Sequence, residues 1–340
     1  MATDNPNDFN SVGDMLKAAK DALNFKDTID KIYTGINNIN QSLGDNRIRA
    51  VEFSNAISDS ASSLVRVGAS LDDIDSTIIS ISEGARRNVI ETTDTITEIY
   101  AAAQLIGQQA DPARLVENFQ AAGYEISQVG ETVAESIGYV QSLGLNSRKI
   151  MQDVVNSMEY MNRFNFSDGV VGLTKMAAQA SMLRFDMATT AKFADSVMNP
   201  QGAIEMASAF QRLGIMSGDL VDPFVLMDKA INDPAGLQDS LINMTKQFTM
   251  FDEKTQSFKI APGAQRQIKE IAEAAGMTAA EFTKTALSAA DMDRRLGQIN
   301  LGINATEEEK MLVANMAKMG TGAFKGDYVV QIKDDEGKDQ

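Results

Sequence analysis

Residues 199–246 read NPQGAIEMASAFQRLGIMSGDLVDPFVLMDKAINDPAGLQDSLINMTK, and three Asx-Pro dipeptides punctuate them: Asn199-Pro200, Asp222-Pro223 and Asp233-Pro234. An Asp or Asn side chain accepts from the free N–H groups at a helix start. Proline at the first helical position has no N–H to lose. Each dipeptide therefore predicts a helix start, and Gly214 after an apolar-periodic run predicts a stop. The same grammar extends outward. Asn5-Pro6 and Asp111-Pro112 add two starts, so five of the six prolines follow Asp or Asn. Thr278-Ala279-Ala280-Glu281 and Thr306-Glu307-Glu308-Glu309 read as capping boxes, while Gly123, Gly144 and Gly276 read as further stops. The expected fold is mainly α, a multi-helix bundle with coiled-coil-like N-terminal helices and one or two small β-hairpin elements.

Spacing divides the chain into four regions. Residues 1–110 carry heptads: Ile29, Ile32, Ile36, Ile39 and Leu43; then Ile57, Ala61, Leu64, Gly68 and Leu71; then Val89, Ile96, Ile99, Ala103 and Ile106. Apolar residues three and four apart form a helical seam. Each run is only two to three repeats long, so an antiparallel bundle and an intermolecular coiled coil satisfy it equally. Residues 111–166 read as a helical connector, with turns at 120–125 and 142–146. Residues 167–301 read as a compact multi-helix unit, in which Met176, Ala180, Leu183, Met187, Ala191 and Ala194 share one buried face.

Within that unit, Phe248–Phe251 and Ser257–Ile260 flank the polar run 252–256, a hairpin near 248–260 with a five-residue loop. Residues 302–340 read as a helix plus a strand at 327–333, followed by a turn at Asp334-Asp335-Glu336-Gly337-Lys338. No partner strand is evident, and a lone strand is unstable. The reading therefore expects the polypeptide to continue beyond Gln340.

Composition bounds the chemistry. The 340 residues contain no His, Cys or Trp. Ser-His-Asp and Cys-His catalysis, thiolate zinc sites, thiol redox chemistry and haem ligation by His or Cys are excluded. Carboxylates, Lys, Tyr, Ser and Thr are the only acids, bases and nucleophiles left. The expectation is that the chain is not an enzyme, and no catalytic, cofactor-binding or metal-binding residue is assigned. The formal charge of -16 opposes a phosphate backbone, so no specific nucleic acid is expected as partner. The opening residues are acidic and polar, unlike a secretory signal, and no apolar run reaches the roughly 18 residues of a membrane span.

Candidate constellations each have a plainer reading. Asp72, Asp73 and Asp75 beside Ser70 lack the glycine turn and terminal Glu of a calcium loop, so a solvated helix start is preferred. For Asp291, Asp293, Arg294 and Arg295 the preferred reading is local ion pairing. The basic pairs Arg86-Arg87 and Arg148-Lys149 read as solvated charges. Met151, Met158, Met161, Met176, Met182, Met187 and Met198 could line an adaptable groove, with core filling preferred.

One stretch resembles a known family. From about 188 to 299 the chain runs through Phe193–Pro200, Ala207–Ile215, Leu220–Met227, Asp233–Ser240, Phe251–Thr255 and Ala286–Leu296. Together these phrases resemble tail tape-measure proteins of tailed bacteriophages, over about a third of the chain. The resemblance implies a virion structural protein in the tail-tube lumen that sets tail length and leaves ahead of the DNA. It also implies synthesis in the bacterial host cytoplasm, self-association in several copies, and tail tube and baseplate proteins as partners. The alternative is another helical filament or injection-system subunit of flagellin-like character. A muralytic enzyme using paired carboxylates is a third reading.

Overall fold

The computed structural model describes residues 71–86, 93–107, 111–166, 168–215, 218–298, 305–320 and 327–330. The heptad positions Ile29–Leu43, the second run before Leu71, Val89, Asn5-Pro6, Arg87 and the turn at 334–338 lie outside them. The described residues form thirteen α-helices and two small antiparallel two-stranded sheets, so the chain is mainly α.

The chain divides into two compact units, one of residues 1–120 with 125–130 and one of residues 121–124 with 131–340. The first contains α1 (Leu71–Gly84), α2 (Thr93–Ile106) and most of α3 (Pro112–Ala121). Ile96, Ile99, Ala103 and Ile106 are all buried, as the heptad spacing of α2 predicts. Helices α1 and α3 meet closely at Gly84, where a Cβ would collide with the Ala113 carbonyl.

The second unit holds most of α4 (Val129–Ser142), then α5 (Ser147–Ser157), α6 (Gly169–Leu183), α7 (Met187–Val197), α8 (Pro200–Arg212), α9 (Pro223–Asn232) and α10 (Pro234–Lys246). After the hairpin β1 (Thr249–Asp252) and β2 (Ser257–Ile260) come α11 (Gln265–Ala274), α12 (Ala279–Gln298), α13 (Glu307–Met316), β3 (Lys318–Met319) and β4 (Tyr328–Val329). Helix α10 packs on α6, α7, α9 and α12. Its Leu237, Leu241, Ile242 and Met244 are buried together with the polar Gln238 and Thr245. Gln238 is fully buried but satisfied: Nε2 donates to the Met176 carbonyl at 3.0 Å and to Gln179 Oε1 at 2.9 Å. Its Oε1 accepts from Thr190 Oγ1 at 3.4 Å.

The start signals act as their chemistry requires. Asp111 accepts from Ala113 N at 2.9 Å, Asn199 from Gly202 N at 2.8 Å, Asp222 from Phe224 N at 2.9 Å and Asp233 from Gly236 N at 2.8 Å. Both capping boxes form, Thr278 with Glu281 and Thr306 with Glu309.

Three stop signals share one geometry. At Gly144, Gly214 and Gly276 (φ +68°, +95° and +71°) the glycine N–H returns to the carbonyl three residues back. The next N–H reaches the carbonyl five back, which is the Schellman closure. The end of α6 closes the same way, with Arg184 N to Ser181 O at 3.4 Å and Phe185 N to Ala180 O at 2.8 Å. There the left-handed position, φ 54° and ψ 37°, is filled by arginine rather than glycine.

The first hairpin forms in the expected place with a shorter loop. Asp252 pairs with Ser257 and joins the strand, leaving Glu253–Gln256 as the turn. Asp252 Oδ1 accepts from Lys254 N at 2.9 Å and Thr255 N at 3.4 Å, which fixes the turn. The ion pair with Lys259, followed by the backbone bond from Lys254, lowers the Asp252 carboxyl to about 2.

The terminal strand corrects an expectation. Tyr328–Val329 does have a partner, Lys318–Met319, in an antiparallel ladder. The partner lies upstream and is only two residues long, too short to show as alternation. The strand is therefore paired within the chain.

Candidate functional site

A cleft of about 470 Å³ lies where α5 faces the corner between α6 and α7. Lys149, Asp153, Asn156 and Ser157 come from α5; Ala177, Ala180 and Ser181 come from α6; Arg184–Ala188 form the corner. Phe185 and Met187 are 7% exposed and give this corner its apolar part. Three of the four charges are already engaged. Lys149 pairs with Asp153 at 3.3 Å, and Asp186 caps α7 by accepting from Ala188 N at 2.9 Å. The backbone of Arg184 is fixed as well, since its carbonyl accepts from the buried Thr285 hydroxyl at 3.3 Å. The arrangement offers an exposed guanidinium, two hydroxyls and an apolar corner, in an open groove.

The denser constellation lies near the end of α12, where Asp291 and Arg295 share Tyr328 while Asp293 and Arg294 reach two other elements. Asp291 and Arg295 form the expected local pair at 2.6 Å. Arg295 also donates from Nη1 to the Ala314 and Ala317 carbonyls, at 3.2 and 3.0 Å, and so caps the C-terminus of α13. Its guanidinium carbon is 5.2 Å from the centroid of the Tyr328 ring, and the Tyr328 hydroxyl donates to Asp291. Burial, then the bond to Asp291 and that carboxylate's charge, push the Tyr328 phenol up to about 12. Asp293 pairs with Lys246 of α10 at 2.6 Å, and Arg294 stacks on Phe251 of β1 with its guanidinium carbon 3.8 Å from the ring centroid. The preferred local reading thus holds for one pair, while Asp293 and Arg294 serve elements more than forty residues distant.

No family model, curated protein or solved structure matches the chain.

The remaining sequence candidates fall in separate places. The backbone of Asp72, Asp73 and Asp75 lies in the opening turns of α1. Among the described residues, no three acidic side chains converge to hold a metal ion. Arg148 and Lys149 stand exposed in the first turn of α5, and Arg86 pairs with Glu117. Met151, Met158, Met176 and Met187 are buried, whereas Met161, Met182 and Met198 are half-buried, so most of these methionines fill core. No described helix is long and apolar enough to cross a membrane.

Sequence reading missed Lys229. From α9 it reaches Asp219 at 2.7 Å, the Gly236 carbonyl at 3.2 Å and Ser240 Oγ at 3.3 Å, joining three elements. The bond from Lys229, ahead of one from Ser240, lowers the Asp219 carboxyl below its usual range. The i,i+4 spacing of Lys229 and Asp233 was the only visible signal, and that contact is long, at 4.0 Å.

Proposed function

We propose that this chain is a structural virion component of the tape-measure kind, placed in the lumen of a phage tail. It assembles in several copies, with tail tube and baseplate proteins as partners. The reading is carried by the resemblance of residues 188–299, and within that stretch the charges near the end of α12 are spent on contacts inside the chain. Asp291, Asp293, Arg294 and Arg295 all hold the chain's own elements together. The composition supports the same reading, since a chain without His or Cys has few routes to catalysis.

The regions then have different duties. A heptad-bearing helix adds length at about 1.5 Å per residue, whereas helices folded back on each other add no such increment. Length setting is therefore assigned to the heptad runs before Leu71, while the packed helices α1 to α3 and residues 167–301 act as folded blocks. The test is a set of in-frame deletions in the phage that encodes the chain, read by electron microscopy of tails and by infectivity. A deletion within those heptad runs shortens tails by about 1.5 Å per residue removed. Removing residues 167–301 abolishes assembly or DNA delivery. Tails of normal length and infectivity after both deletions refute the proposal.

A further inference from the structure

Helix α13 is poorly anchored by apolar contact for its position. Only Ala314 is buried along its ten residues, with Ala317 just beyond, and Met316 is half exposed to solvent. By contrast α10 buries seven residues and α12 buries five. Apolar burial is the main source of stability that water does not replace, whereas hydrogen bonds are exchanged for bonds to solvent when an element leaves.

Beside half-buried Met311, Leu312 and Val313, a set of polar contacts holds α13 and the β3–β4 ladder, and several of them meet at one residue. Arg295 caps α13 through two carbonyls, at 3.2 and 3.0 Å, and carries Tyr328 over its guanidinium. Its partner Asp291 accepts from the Tyr328 hydroxyl, and Gln298 Oε1 accepts from Tyr328 N at 3.2 Å. At the other side Asn315 Nδ2 donates to the Leu143 carbonyl at 2.9 Å and approaches Met182 Sδ at 3.3 Å. Leu312 presses on the turn at Gly144, where a Cβ would sit 2.8 Å from its Cδ1.

From this distribution we infer that residues 305–320 and 327–330 form a strap that undocks as one piece, with Arg295 as its latch, while α5 to α12 stay folded. Undocking uncovers Met182, the turn after α4 and the end of α12. The second unit thereby has a closed form and an open form.

Hydrogen exchange followed by mass spectrometry on the full chain tests this. Amides of residues 311–317 should exchange at least about tenfold faster than those of residues 237–245, as a lower-stability cooperative segment does. Arg295→Ala should accelerate residues 311–317 and 328–330 by about a further tenfold and leave residues 237–245 unchanged. Arg295→Lys, which keeps the charge but loses the planar guanidinium that bonds Asp291 through Nη2 while Nη1 holds both carbonyls, should fall between. Equal protection of the two segments in the unsubstituted chain overturns the inference, as does acceleration everywhere in Arg295→Ala. Asn315→Ala weakens the strap without touching α12. It should accelerate the same amides alone, and uniform acceleration there is equally fatal.

Discussion

Arg294 sits over Phe251, its guanidinium carbon 3.8 Å from the ring centroid, and this contact fastens the hairpin to α12. The face of the hairpin that carries Phe251 also carries Phe258, whose ring meets Phe251 edge-on at 5.1 Å between centroids. A cation over a partly desolvated ring contributes about 1–2 kcal/mol. A double-mutant cycle with Arg294→Met and Phe251→Leu, measured by urea unfolding, should return a coupling of that size. Strict additivity would show the stacking to be energetically idle.

Arginine occupies the left-handed position at the end of α6, where three other helices use glycine. A non-glycine residue there carries strain of about 1 kcal/mol. Arg184→Gly should raise stability by somewhat less than that, because glycine also loosens the unfolded chain. Gly214→Ala should lower it by about 1 kcal/mol. Midpoints of denaturant unfolding decide both, and a destabilised Arg184→Gly would mean that the arginine side chain holds the corner.

Gln238 is a polar group inside α10's apolar surroundings, with all its bonds supplied by α6 and α7. Gln238→Leu keeps most of the volume but strands the Thr190 hydroxyl, and should cost about 1–3 kcal/mol. Gln238→Ala adds a cavity and should cost about 2–4 kcal/mol. If leucine proves stabilising, the network serves specificity rather than stability.

The pH dependence follows from Tyr328, whose phenol is raised from 10.0 to about 12 by burial and by Asp291. The folded state holds the proton more tightly than the unfolded state. The contribution is therefore complete below pH 10 and is lost as pH rises toward 12. Tyr328→Phe should remove that fall relative to the unsubstituted chain, seen as a convergence of their unfolding midpoints above pH 10. Parallel profiles across that window would exclude this linkage.

Ile99 is fully buried in α2, and Ile36 has the same heptad role in a run outside the described residues. Ile99→Asp places an unpaired charge in a core and should cost several kcal/mol. Ile36→Asp separates the two readings of the N-terminal heptads. A lower mass in light scattering marks an intermolecular seam, and lost helicity at constant mass marks an internal one.

Helix boundaries were legible because caps are local. Asp222 needs only the N–H groups two and three residues ahead, and Gly214 needs only a backbone free to take positive φ. The end of α6 was not legible, since Arg184 carries no such signal and is held there by Thr285 from another helix. The first hairpin showed in its flanking strands, but its loop length was set by the Asp252 turn. The second hid its partner in a two-residue strand.

The helical class, most of the helix starts and stops, and the exclusion of histidine and cysteine chemistry were already written in the order of residues. Those properties depend on residue type and on spacings of four residues or fewer. The roles of the charges emerged only once the helices had packed. Asp293 chose Lys246, Arg294 chose Phe251, and Arg295 chose the carbonyls of Ala314 and Ala317. Neighbours on α12 offered only one good local pair, and the remaining groups found partners where packing brought distant elements within about 4 Å. Spacing along a chain carries no record of such contacts, because they exist only once the apolar faces of the helices have been buried together.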